Sequence, residues 1–162
     1  MNYFQEDKLK DAEFRGLFLG EGYCSIYRTS NKCKYKDKTY NYPVVYRAKL
    51  SLAQRADNKD MLLWIKERYG GNLWVQRDKR ITHNLSYHWA TDNIGKISQM
   101  CKVLLEGVIP SKKLNSIRKV KEYCDWKLER GLQRKMTEED YQKVKEMYEF
   151  CKNNHAYSGT VT

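Results

Sequence analysis

Apolar and polar residues alternate in four stretches of this chain and recur at helical spacing in the segments between them. Residues 6–21 carry apolar side chains three and four apart and read as a helix running into Gly20 and Gly22. Residues 23–29 and 43–54 alternate and read as strands. In the second, Ala48, Leu50 and Leu52 fall on one side and Arg47, Lys49 and Ser51 on the other. The polar, lysine-rich "SNKCKYKDKTYN" between them reads as a long hairpin loop. "DNKDMLLWIKERYGG" reads as a second helix, capped by Asp57, striped by Met61, Leu62, Ile65 and Tyr69, and stopped at Gly70-Gly71. Two more strands follow, about 72–77 and 81–91, joined by the charged turn "RDKR". From Asp92 onward the pattern is helical: one helix to about Glu106, another after Pro110, and a third from Thr137. There "TEED" has the form of a capping box with Asp140 in place of the usual Glu.

The order is α-β-β-α-β-β-α and then more helix. Hairpin pairs of strands separated by one helix predict an α+β domain, with a four-stranded antiparallel sheet covered by helices on one face. Residues 1–135 are expected to form this domain, and 136–162 a helical extension of it.

The first helix has two apolar faces. Leu9, Ala12, Gly16, Leu19 and Gly20 fall on one, and Phe14, Leu17 and Phe18 on the other. A surface helix needs one such stripe. Small residues four apart on the extra face admit another backbone, either a C-terminal helix of the same chain or the same helix of a second subunit about a two-fold axis. The second arrangement places Glu21 beside its symmetry mate at two helix C-termini, where negative charge is disfavoured. A cation relieves that conflict, and carboxylate and carbonyl oxygens suit Mg²⁺.

Charge adds a partner class. Among 162 residues, 31 Lys+Arg stand against 20 Asp+Glu, a formal net charge of +11 that favours a polyanion. No apolar run approaches the ~20 residues of a membrane span, and "MNYFQEDKLK" lacks the apolar core of a signal peptide. The five cysteines are widely spaced without a CxxC and read as reduced thiols. Together these predict a cytoplasmic protein, neither secreted nor on a membrane. His83 and His88, five apart on a strand, point to opposite faces and cannot share a metal.

"FRGLFLGEG", residues 14–22, resembles the LAGLIDADG signature of the homing endonucleases. Gly16, Leu17, Gly20 and Gly22 match its glycine, leucine, second small residue and final glycine, and Glu21 its last acidic position. Arg15 departs from the small second residue and Leu19 from the first acidic one. The strand ending "LSLAQ", the helix "RADNKDMLLWIKERYGG", "SYHWATDN" and "VIPSKKLNSIRKVKEY" extend the resemblance over roughly residues 8–125.

The resemblance implies a saddle-shaped sheet laid on DNA, and an intron-encoded, homodimeric, Mg²⁺-dependent endonuclease cutting both strands of a long pseudo-palindromic site. Glu21 with the Gly20 carbonyl is then the metal site, Gln54 orients water, and Lys112 or Lys113, the latter preferred, stabilises charge at the phosphate. Ala12, Gly16, Leu19 and Gly20 form the dimer seam. Alternation assigns the DNA-reading face to Ser25, Tyr27 and Thr29; Arg47, Lys49 and Ser51; Asn72, Trp74 and Gln76; and Asn84, Ser86 and His88. Residues 23–56 hold eight basic side chains against one acidic, so Lys34, Lys36 and Lys38 join the phosphate-contacting set. Two alternatives share the resemblance: a DNA-binding regulator that does not cut, and a maturase binding intron RNA through the basic helices at 112–135.

Overall fold

The protein is described here from a computed structural model covering residues 3–29, 32–35, 37–41, 44–76, 85–107 and 110–155. Helix α1 (Tyr3–Glu21) leads into strand β1 (Tyr23–Arg28). The hairpin β2 (Lys32–Tyr35) and β3 (Lys38–Asn41) precedes the long strand β4 (Tyr46–Arg55). A single 3₁₀ turn (Ala56–Asn58) opens helix α2 (Lys59–Tyr69), followed by β5 (Asn72–Gln76) and β6 (Ser86–Thr91). Helices α3 (Ile94–Leu104), α4 (Lys112–Arg130) and α5 (Glu138–His155) complete the chain. Among the described residues, no helix is long and apolar enough to cross a membrane.

Four strands form one antiparallel sheet in the order β1-β4-β6-β5. The alternation in β4 appears as burial: Tyr46, Ala48, Leu50, Leu52 and Gln54 are buried, while Arg47, Ala53 and Arg55 are exposed. The helices supply the other half of the core on that buried side. Phe14 and Phe18 of α1, Leu62 and Ile65 of α2, and Ile97, Met100 and Leu104 of α3 are closed off from solvent. So are Leu114, Ile117 and Val120 of α4 and Val144 and Met147 of α5. Each such side chain contributes roughly 1.5–3 kcal/mol of burial before entropy is counted.

Polar ties fix how the helices sit. Arg15 donates to the Val103 carbonyl at 2.9 Å and to Glu106 at 2.9 Å, pinning α1 to the end of α3. Arg68 and the Tyr69 hydroxyl both donate to Asp11, at 2.7 and 2.6 Å, pinning α1 to α2. The bulky departure at position 15 is thus a tether within the chain. Gly71 (φ 96°) lets α2 turn directly under β6, because a β-carbon there would lie 2.6 Å from the Trp89 indole nitrogen.

Several expectations need correction. The lysine-rich "loop" contains the β2–β3 hairpin, with Lys34 opposite Thr39. Its Tyr and Thr residues are strand formers, and Asp37 (φ 62°) takes the left-handed turn conformation that short hairpins use. Strand β4 begins at Tyr46 rather than 43, and α2 begins at Lys59 behind a 3₁₀ turn, so Asp57 is not its cap. Met61 is 41 % exposed and falls outside the buried stripe, whereas the next residue, Leu62, is fully buried. The expected capping box is formed: Asp140 accepts from the Thr137 amide at 2.9 Å and Thr137 Oγ1 from the Asp140 amide at 3.2 Å.

Candidate active site

The end of α1 brings its glycines into different roles. Gly22 is buried, and a β-carbon there would lie 2.5 Å from the Phe18 ring, so only glycine allows α1 to turn tightly into β1. Gly16 and Gly20 are exposed and have nothing within 4 Å of such an added carbon. Ala12 is exposed on the same helix. Leu19, expected on that seam, is half-buried and packs inward, with Cδ1 beside Gly107.

Glu21 stands at the α1–β1 junction with an exposed carboxylate. Gln54, at the end of β4 and 9 % exposed, donates its side-chain amide to Glu21 Oε2. Asn58, on the turn that follows, donates to Gln54 Oε1 at 3.2 Å. From α4, the Lys113 ammonium donates to the Phe18 carbonyl at 3.4 Å, in the last turn of α1, where the helix presents its negative end. Burial lowers the Lys113 pKa below the ordinary lysine value, with Cys24 and the Glu21 carboxylate acting in the opposite direction. Three distant stretches of sequence therefore meet at one point. Lys112 is exposed, and its carbonyl accepts from Asn154 at 2.5 Å.

An open cavity of ≈ 390 Å³ lies beside Glu21, lined also by Ala53, Gln54, Arg55, Asn58, Ser86 and His88. The groups lining it that could face a metal are oxygens, the Glu21 carboxylate and the Gln54 side-chain carbonyl, with the Gly20 carbonyl one residue before Glu21 at the end of α1. Such a set suits a hard divalent cation. Among the described residues, no group of three or more His, Cys, Asp and Glu side chains could hold a metal.

Away from this point the open face of the sheet carries a second cavity of ≈ 210 Å³, lined by Tyr27, Lys49, Asn72 and Trp74 among others. Tyr27 pairs with Arg47, Tyr23 with Ser51, and Trp74 with His88 across the strands. The Trp74 and His88 rings stack at 5.7 Å, and Ser86 Oγ lies 3.1 Å from the His88 ring. Asn72, Trp74 and Gln76 are exposed on β5, and Lys49 and Ser51 half-exposed on β4. Thr29 turns its hydroxyl to the Val45 carbonyl at 3.1 Å. Ser25 keeps the register of that face, opposite Lys49, yet it is 3 % exposed and its hydroxyl donates to the Ile26 carbonyl, so it is closed off from a ligand there. Lys34 and Lys38 lie on the β2–β3 hairpin, while Lys36 and Asn84 lie outside the described residues.

Sequence reasoning passed over Arg55 and Asn58. Arg55 continues the Arg47–Lys49 alternation by parity, a signal present in the sequence. Asn58 follows Gln54 by four residues, but nothing in the pattern says that a turn would fold it back.

No protein-family model and no curated protein matches this sequence. In three dimensions the chain has the fold of the LAGLIDADG homing endonucleases. It is similar to I-Vdi141I, an archaeal intron-encoded homing endonuclease complexed with DNA, at TM-score 0.67 and 16 % identity, over 96 % of this chain and 90 % of that one. It is also similar to I-CvuI, solved on the I-CreI target with 2 mM Mg and the DNA not cleaved, at TM-score 0.64 and 16 % identity, over 97 % and 88 %. The match to DNA-bound I-LtrWI has TM-score 0.64 and 18 % identity, and spans 90 % of this chain but 45 % of the other.

Proposed function

We propose that the protein is a site-specific DNA endonuclease that acts as a homodimer and hydrolyses both strands of a long pseudo-palindromic duplex site with Mg²⁺. The observation that carries this reading is the contact of Gln54 with Glu21 at the edge of a cavity beside a basic sheet face, with Lys113 held against the Phe18 carbonyl in the last turn of the same helix. A binding protein has no need of a carboxylate, an amide and a half-buried ammonium in that arrangement.

Each part has a role by its chemistry. Arg47, Lys49 and Arg55 neutralise phosphates, while Tyr27, Ser51, Asn72, Trp74, Gln76 and His88 face base edges in the major groove. Glu21 and the Gly20 carbonyl would hold Mg²⁺, which, when bound, supplies Lewis-acid polarisation of the phosphate and acidifies water. Gln54 orients the attacking water, and Lys113, rather than the exposed Lys112, offsets negative charge developing on the phosphate. One chain carries one Glu21, and it matches nearly all of I-CvuI but less than half of I-LtrWI. A second copy, joined along the open Gly16–Gly20 face, completes the pair of carboxylates.

The test is to incubate the protein with a randomised duplex library and Mg²⁺ and to sequence the ends. Paired breaks in both strands at one recurring site, absent with Glu21→Gln, are expected. Intact DNA with retained specific binding would overturn this reading in favour of a regulator, and preference for structured RNA in favour of a maturase. On α4, Lys119, Lys121 and Arg130 already sit in ion pairs with Glu122, Asp125 and Asp140, which weakens the RNA-binding reading.

A further inference from the structure

Asn58 stands at the N-cap of α2, where an asparagine side chain ordinarily accepts a hydrogen bond from the first turn of its own helix. It makes no such bond, and its backbone (φ −107°, ψ 16°) is not the extended conformation that caps usually take. The side chain turns the other way and donates to Gln54 Oε1 at 3.2 Å. Gln54 in turn donates its amino end to Glu21 Oε2. Both residues line the cavity beside Glu21.

This relay has a direction. A glutamine amide has two ends of nearly equal shape and opposite polarity, and only the amino end can approach a carboxylate without repulsion. By occupying the carbonyl end, Asn58 leaves the amino end for Glu21. Gln54 at 9 % exposure has little water with which to settle its orientation otherwise. A local rule is broken at the cap, and the gain appears in the site.

We propose that Asn58 is a positioning residue: it fixes the Gln54 amide, and through it the Glu21 carboxylate, at the point where the phosphodiester is attacked. Its catalytic consequence rests on the endonuclease reading, whereas its hold on Gln54 does not. Partners that orient a metal-binding side chain typically matter by 10- to 100-fold in activity or metal affinity.

The experiment has two readouts on the full chain. In the free protein, the side-chain amide resonances of Gln54, identified by their loss in Gln54→Ala, are followed by ¹H–¹⁵N spectroscopy. Glu21→Gln and Asn58→Ala should each move them. In Asn58→Asp, which offers an acceptor where a donor stood, the amino end turns away and the response to Glu21→Gln disappears. On DNA, Asn58→Ala should slow single-turnover cleavage roughly 10- to 100-fold without changing DNA affinity or melting temperature. Asn58→Asp should be slower still, and Gln54→Ala/Asn58→Ala no slower than Gln54→Ala alone. Unmoved Gln54 resonances in Asn58→Ala, or losses that multiply in the double variant, would overturn the proposal. Should the unaltered protein fail to cut any duplex, the endonuclease reading falls, and the amide spectrum still decides whether Asn58 holds Gln54.

Discussion

Gln54 donates its side-chain amide to the carboxylate of Glu21, joining the end of β4 to the end of α1. The contact holds a single acidic group at the edge of a basic face, at a helix terminus that disfavours negative charge. Glu21→Gln keeps the size of the side chain and the partner but removes the charge. Cleavage should be abolished while DNA affinity, measured by gel shift, is unchanged or stronger.

The three glycines at the end of α1 should respond differently to substitution. A methyl at Gly22 meets the fully buried Phe18 ring, so Gly22→Ala should cost about 1–3 kcal/mol and lower the melting temperature. Gly16 has open space around it, and alanine is favoured over glycine in a helix by about 1 kcal/mol. Gly16→Leu and Gly20→Leu should therefore fold, sediment as monomers and fail to cut.

Lys113 links pH, stability and activity. Burial holds its folded pKa below the ordinary lysine value, so between the two the unfolded chain binds more protons. Stability attributable to this group then rises as pH climbs through that window and is lost as pH falls through the folded value. At neutral pH the charged ammonium is a net cost. Lys113→Met should raise the melting temperature at pH 7 while eliminating cleavage, and the rate of the unaltered enzyme should fall on the alkaline side below the ordinary lysine pKa.

Binding by the basic face should be steeply salt-dependent. Replacing Arg47 or Lys49 with Ala should each reduce the slope of log affinity against log salt by about 1. Asn72→Ala should instead relax base preference at one position and leave that slope alone.

Strand alternation and the glycines around Glu21 make the sheet, its helix-covered side and the α1 junction legible in the sequence. The capping box at Thr137 and Asp140 was readable because both halves of the bond lie within one turn. What escaped is long-range or locally contradictory. Lysines masked the strand-forming Tyr and Thr residues of the β2–β3 hairpin. Ser25 has the parity of an open face yet is covered, which no alternation can show. Asn58 has the sequence of a cap and spends its side chain on Gln54, so local rules misplace it. At the other end of the chain, α5 closes on the site's surroundings. Asn154 donates to Ser116 Oγ at 2.6 Å, and His155 contacts the Cys24 carbonyl at 3.0 Å across 131 residues.

The central claim is that two copies of the chain each supply one Glu21 to a shared cutting site. Subunit mixing tests it most directly: unaltered protein and Glu21→Gln are unfolded together, refolded at varied ratios, and assayed for double-strand breaks at fixed total protein. Breaks should fall as the square of the unaltered fraction. A fall in simple proportion to that fraction would mean that one chain cuts alone, and would contradict the account.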